Sequence, residues 1–87
     1  MLEKIDRMIM LKDFYGPLLT ERQQDVIDCY YENDWSLAEI ADNLDISRQA
    51  VYDLIRRAEA SLEDYEIRLG FMERYKNNRQ HWQEIHD

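Results

Sequence analysis

Residues 36–55, SLAEIADNLDISRQAVYDLI, constrain the fold of this chain more than any other stretch. Ser36 and Ser47 both suit the N-cap position of a helix, and Glu39 completes a capping box with the first of them. The stretch therefore predicts a short helix from Leu37 to about Asn43, a tight turn over the residues LDI, and a further helix that Ser47 caps.

The apolar residues of this stretch have the spacing that two helices need in order to pack across such a turn. A small residue, Ala41, stands where the two helices would touch. The other apolar positions lie about one helical turn apart or fill the turn itself, namely Ile40, Leu44, Ile46, Val51 and Leu54. The pattern predicts a helix-turn-helix motif within residues 20–57, with a plain antiparallel helical bundle as the alternative.

Asp45 is the one departure from this pattern. The turn needs a residue that tolerates a positive φ, and glycine usually fills that position. Aspartate is among the few other residues that adopt this conformation at modest cost. We therefore expect a left-handed backbone at Asp45.

The rest of the chain predicts an all-α protein. It has two glycines and one proline in 87 residues, and its commonest residues are good helix formers. A first helix is expected from Leu2 to Tyr15, ended by Gly16 and Pro17. The 87 residues are thus expected to form one domain, with an N-terminal helix (1–16), a helix-turn-helix core (20–57) and a C-terminal helical extension (58–87).

The second helix is expected from Glu21 to about Tyr31. Thr20 is a good N-cap, and Gln23 would complete its capping box. The apolar residues of this helix are expected on one face, because they follow the i, i+3, i+4 rule: Val26, Ile27, Tyr30 and Tyr31.

Nothing after Ser47 interrupts the fourth helix before Gly70, which is a possible hinge for the tail. An apolar seam with spacings of four, three, four and three runs along this helix and past it: Ala58, Leu62, Tyr65, Leu69 and Met72. This seam could pack inside the chain, or it could pair with a second copy. In the second interpretation Leu62, Tyr65, Leu69 and Met72 form a dimer seam.

The outer face of the fourth helix is the candidate DNA-reading surface. Seven residues form this reading face: Ser47, Arg48, Gln49, Tyr52, Asp53, Arg56 and Arg57. Arginine can bind guanine with two hydrogen bonds, glutamine can bind adenine, and Ser47 or Tyr52 can bind phosphate. The alternative is that these are ordinary solvated residues.

The net charge of −8 opposes strong binding to DNA. By segment, the charge is 0 over residues 1–19, −4 over 20–35, −1 over 36–57 and −3 over 58–87. Residues 47–57 hold three arginines and one aspartate, so the one basic surface coincides with the reading face. A monomer is expected to bind double-stranded DNA weakly, and a homodimer would double the basic patch. The acidity also suits docking on a basic, RNA-binding protein.

Residues for catalysis, metal binding or membrane insertion are not evident in the sequence. We expect no enzyme activity and no cofactor, because there is no phosphate-binding loop, paired cysteine motif or nucleophile signature. His81 and Glu84 could contact a metal, although a solvated tail is the preferred interpretation. The lone Cys29 suits packing and a reducing, cytoplasmic compartment. The longest apolar run, Met8–Leu11, is too short to span a membrane, and the N-terminus does not resemble a signal peptide.

Three stretches, LLT..Q, YY..D.SLAEIA and SRQAVYD.I.R.E..LE.YE, resemble the YlxM-like family of small bacterial proteins over about Ile5–Leu69. The helix-turn-helix part is also similar to the sigma-factor region-four type, which binds promoter DNA. This resemblance implies a cytoplasmic, DNA-binding regulatory protein. The genes of that family lie beside those of the signal recognition particle GTPase and its receptor, so the resemblance also implies a part in protein targeting, with that GTPase or its ribonucleoprotein as a partner.

Overall fold

The computed structural model describes the backbone of residues 2–86 and the side chains of residues 3–79. Within that backbone the chain is helical, without strands, as predicted. Its helices are α1 (Leu2–Tyr15), α2 (Glu21–Ile27, continued by a π-helical turn over Asp28–Glu32), α3 (Leu37–Leu44), α4 (Arg48–Leu69) and α5 (Phe71–His86), with a 3-10 turn at Gly16–Leu18.

Side-chain caps begin three of these helices, at the residues that the sequence indicated. Thr20 and Ser36 each close a capping box with the residue three positions later. The Ser47 hydroxyl accepts a hydrogen bond of 3.0 Å from the N–H of Ala50. Each cap satisfies backbone N–H groups that have no partner within the helix, so the start of each helix is set locally.

The α3 and α4 helices interlock as the apolar spacing predicted. Ile40, Ala41 and Val51 are buried, with relative exposures of 1%, 4% and 0%. Ile46 and Leu54 are half-buried and pack against the same core. The α4 helix also packs on α1 and α2, so three helices hold it in place. The helix-turn-helix prediction is confirmed.

Asp45 ends α3 in the left-handed conformation, with φ 57° and ψ 47°. The N–H of Ile46 donates to the carbonyl of Ala41 at 3.1 Å, and the N–H of Asp45 donates to the carbonyl of Asp42 at 3.4 Å. This pair of hydrogen bonds is the Schellman arrangement, which normally has glycine at the left-handed residue. The turn therefore keeps its geometry without glycine.

Replacing Asp45 by glycine should raise the free energy of unfolding by about 0.5–1 kcal/mol, because glycine adopts this backbone without strain. The change also removes a negative charge beside the free carbonyls of α3. Asp45→Asn separates the two effects, since it removes the charge and keeps a side chain. Urea unfolding measures all three proteins, and a loss of stability in Asp45→Gly would contradict this account.

The end of α2 differs from the regular α-helix that was expected. Residues Asp28–Glu32 form a π-helical turn, closed by a hydrogen bond of 3.0 Å from the N–H of Asn33 to the carbonyl of Asp28. Tyr31 is buried at 7% exposure, whereas Tyr30 is 38% exposed. The prediction that Tyr30 and Tyr31 lie on one face was therefore wrong, because successive residues of a helix point about 100° apart and only one of the two can face the core.

Two of the four predicted dimer-seam residues pack inside the chain. Leu62 and Met72 are buried, at 0% and 3% exposure, so neither can meet a second copy in this conformation. Tyr65 is half-buried, and its hydroxyl donates to the carbonyl of Leu18 at 3.2 Å. Only Leu69, at 37% exposure, lies at the surface. The residues at the a and d positions of this seam therefore pack mainly in the core of a single chain.

The chain turns between α4 and α5 at Gly70, which has a φ of 65°. The ring of Phe71 stacks on Tyr15 of α1, with centroids 6.0 Å apart. The ring of Tyr75 meets Phe14 edge-on at 5.7 Å. The first turns of α5 therefore pack against the end of α1.

Candidate nucleic-acid interface

All seven residues of the reading face are exposed on the structure. They are Ser47, Arg48, Gln49, Tyr52, Asp53, Arg56 and Arg57. The caps and the turn set where α4 begins, and burial of Val51 and Ile55 sets its rotation about its own axis. The opposite side of the helix is consequently turned to solvent.

The reading face has two rows of side chains, each with the four-residue spacing of one helix face. One row is Arg48, Tyr52 and Arg56, and the other is Gln49, Asp53 and Arg57. The amide of Gln49 donates to the carboxylate of Asp53 at 3.1 Å, so these two side chains are paired. Among the described side chains, no carboxylate oxygen lies within 4 Å of Arg48 or Arg57. These two guanidinium groups are available to an external partner.

Arg56 belongs to a cluster that the sequence did not reveal. Its guanidinium lies 3.7 Å from the carboxylate of Glu59, and the amine of Lys4 lies 3.6 Å from the same carboxylate. Glu59 is only 7% exposed, and it also accepts a hydrogen bond from the hydroxyl of Tyr31. Burial, and then this hydrogen bond, raise the pKa of Tyr31, so its hydroxyl stays protonated and donates.

The i, i+3 spacing of Arg56 and Glu59 was the only part of this cluster visible along the sequence. Lys4 and Tyr31 reach it from α1 and from the π-helical turn, through tertiary packing.

Acidic side chains accompany the arginines of the reading face. Asp53 interrupts the reading face itself, and Glu39 and Asp42 are exposed on the neighbouring α3 helix. The positive potential is therefore local to individual arginines and does not form a continuous strip along the helix. Binding to a polyanion must depend on a few well-placed contacts.

The other candidate site residues have ordinary surroundings where the structure describes them. Cys29 is half-buried, and burial, with the charges of Asp25 and Asp28, raises the pKa of its thiol, which disfavours the reactive thiolate. In the described part of the chain, no three histidine, cysteine, aspartate or glutamate side chains cluster so that they could hold a metal ion. The side chains of His81 and Glu84 lie outside the described residues.

No helix among the described residues is both long enough and apolar enough to cross a bilayer.

Two helices joined across a left-handed turn, with the second exposed along one polar face, define a helix-turn-helix protein. The chain belongs to the UPF0122 family, whose model, described as "Putative helix-turn-helix protein, YlxM / p13 like", matches residues 2–87. That match extends past Leu69, where the resemblance seen in the sequence alone was expected to end.

Individual relatives agree with the family assignment. A UPF0122 protein of Symbiobacterium thermophilum is 61% identical over 71 residues, which cover 82% of this chain and 66% of the relative. One of Geobacillus kaustophilus is 54% identical over 80 residues, covering 92% and 73%. One of Listeria welshimeri is 46% identical over 85 residues, covering 98% and 77%. The matched region thus spans just under two thirds of the first relative and about three quarters of the other two.

Proposed function

We propose that this protein is a regulatory DNA-binding protein, and not an enzyme, which places the first half of α4 in the major groove of double-stranded DNA. The observation that carries the proposal is the free, exposed Arg48 in the first turn of a helix whose position and rotation are fixed by its caps and core. Arg48 is suited to bind guanine, and Ser47 and Tyr52 to bind phosphate.

The helix that carries the reading face is held firmly in place. This favours DNA binding over the alternative that these residues are solvated and have no role. The left-handed turn at Asp45 and the buried Val51 leave α4 little freedom to rotate. A preorganised donor set loses less conformational entropy on binding than a mobile one.

The net negative charge of the chain determines the salt conditions under which DNA binding should be measurable. With few cations to neutralise phosphates, the affinity should be modest and should fall as salt rises. Two copies on a palindromic site would double the contacts if their α4 helices were about one DNA turn apart. Leu62 and Met72 would not form the contact between those copies, because both are buried.

The test is selection from a random-sequence duplex library at low salt, followed by affinity measurements on the selected and scrambled duplexes. We expect one enriched sequence class whose affinity decreases with salt. Failure to enrich any duplex, from protein that is folded by circular dichroism, would overturn the proposal.

Replacing Arg48 by alanine should weaken binding to the selected duplex by about 1–3 kcal/mol, which is roughly 5- to 150-fold, and should relax the preference at one base pair. The matched control is Arg68→Ala, because Arg68 lies on the same helix about 30 Å further along. Fluorescence anisotropy measures both variants. Equal effects of the two substitutions on affinity would show that Arg48 does not contact the DNA.

A second candidate function is docking on a basic protein, favoured by the charge of −8 and by exposed acids such as Glu39 and Asp42. The signal recognition particle GTPase, or its ribonucleoprotein, is the specific partner that the family resemblance implies, in the cytoplasm. Affinity capture from cells should then recover one of them in a salt-sensitive complex. Recovery of neither at normal expression levels would remove this candidate.

A further inference from the structure

We propose that four residues beside the reading face, Lys4, Tyr30, Tyr52 and Arg56, contact the phosphate backbone of duplex DNA. We call this set the flanking strip. The proposal rests on the proposed DNA-binding function and extends its contact surface beyond α4, onto α1 and the π-helical turn of α2.

The four residues line one shallow groove of about 160 Å³, although they come from three different elements. Tyr52 and Arg56 also belong to the reading face, so the groove opens directly beside it. Lys4 lies near the start of α1, and Tyr30 lies on the π-helical turn. A duplex seated on α4 would therefore have this groove at the edge of its contact surface.

The flanking strip has the chemistry of a phosphate-contacting surface. The side chains of Lys4 and Arg56 are 56% and 61% exposed. Tyr30 and Tyr52 are 38% and 46% exposed, which leaves their phenol groups accessible. Lysine, arginine and tyrosine side chains all donate hydrogen bonds to phosphate oxygens in protein–DNA complexes.

Glu59 lies between the two cations of the flanking strip. Its buried carboxylate accepts the hydroxyl of Tyr31 and lies 3.6 Å and 3.7 Å from Lys4 and Arg56. Both distances exceed those of a good charge-assisted hydrogen bond, so neither cation is saturated. Glu59 and these two cations together carry a net charge of +1 beside the groove.

Tyr30 is the accessible tyrosine of the π-helical turn. Tyr31 lies in the core and Tyr30 at the surface, with the two rings edge-on and their centroids 5.0 Å apart. Lys12 supports this turn, because its amine lies 2.8 Å from Asp28 and 2.5 Å from Glu32, at the two ends of the turn. π-Helical turns are frequent at functional sites.

Salt-dependent affinity tests the flanking strip. We would compare the wild type with Lys4→Ala on the selected duplex and on a scrambled duplex, by fluorescence anisotropy between 50 and 200 mM salt. Losing one phosphate contact should reduce the slope of log affinity against log salt by about 0.9 and weaken both duplexes by the same factor. Lys76→Ala on α5 is the matched control and should leave the slope unchanged.

Glu59→Gln should change the DNA affinity in the opposite direction. Glutamine keeps an acceptor for Tyr31 and removes the negative charge, so affinity for both duplexes should rise several-fold. Circular dichroism checks that each variant is folded.

The outcomes separate the two proposals. Equal slopes for Lys4→Ala and Lys76→Ala, with the wild type binding DNA, would overturn the flanking strip alone. No binding by the wild type to any duplex would overturn the proposed function, and the flanking strip with it.

Discussion

Replacing Leu62 by alanine should lower the free energy of unfolding by about 2–5 kcal/mol, and the loss should be the same at every protein concentration. Leu62 is fully buried in the core of the single chain, on the α4 helix that packs against α1 and α2. Truncation would leave a cavity that neighbouring helices can close only in part. In a chain of 87 residues such a loss is a large share of the total stability.

The concentration dependence decides between the two interpretations of the a/d seam. Urea unfolding of Leu62→Ala should be measured over a hundredfold range of protein concentration. Leu69→Ala is the control, because Leu69 is 37% exposed and should lose much less stability. A loss for Leu62→Ala that changes with concentration would show that Leu62 stabilises an oligomer.

Replacing Glu66 by alanine should cost about 1.5–3 kcal/mol and should loosen α5 from α1. The Glu66 carboxylate accepts hydrogen bonds from the Tyr15 hydroxyl at 2.5 Å and from the N–H groups of Met72 and Glu73, both at 3.1 Å. The Tyr15 hydroxyl accepts a further bond of 3.0 Å from the N–H of Phe71. One carboxylate thus caps α5 and ties it to α1.

Amide hydrogen exchange should locate this effect. Protection should fall first in the opening turns of α5, at Met72 and Glu73. The control is Asp64→Ala, which removes an exposed carboxylate of α4 whose partner, Arg68, lies on the same helix. Unchanged protection of α5 in Glu66→Ala would contradict the capping role.

The same cluster predicts a dependence on pH. Burial opposes ionisation of Glu66, but hydrogen bonds from Tyr15, Met72 and Glu73, with the nearby charge of Arg7, lower its pKa below the ordinary 4.5. A lowered folded pKa gives stability that is present above about pH 4.5 and is lost as the pH falls through the folded value.

Glu66→Gln isolates this contribution, because Glu63, which is paired with Arg7, also has a lowered pKa and is retained in both proteins. The stability difference between wild type and Glu66→Gln should be full at pH 7 and should shrink below pH 4.5. A difference that stays constant down to pH 2 would show that Glu66 ionisation does not stabilise α5.

Features set by neighbouring residues along the chain were predictable. The caps at Thr20, Ser36 and Ser47 and the left-handed turn at Asp45 depend on hydrogen bonds and dihedral angles within a few residues. The exposure of the reading face followed from the same source, because helical periodicity turns Arg48 outward once Val51 is buried.

Features that depend on distant residues could not be predicted from the local pattern. An a/d seam looks the same whether it packs inside one chain or between two, and only the position of α1 and α5 assigned Leu62 and Met72 to the core. Likewise, the ion pairs of Lys12 on α1 with Asp28 and Glu32 in the π-helical turn join residues that are distant along the chain.

By itself, the sequence determined where α2, α3 and α4 begin, how α3 turns into α4 and which face of α4 meets solvent, because these follow from short-range hydrogen bonding and helical period. Tertiary structure alone decided that Lys4 and Tyr31 meet Glu59, which lies one turn from Arg56 on α4, and that Glu66 ties α5 to α1. The contacts of Lys4 and Tyr31 with Glu59, and of Tyr15 with Glu66, join residues 55, 28 and 51 positions apart, and their geometry exists only after the helices have packed.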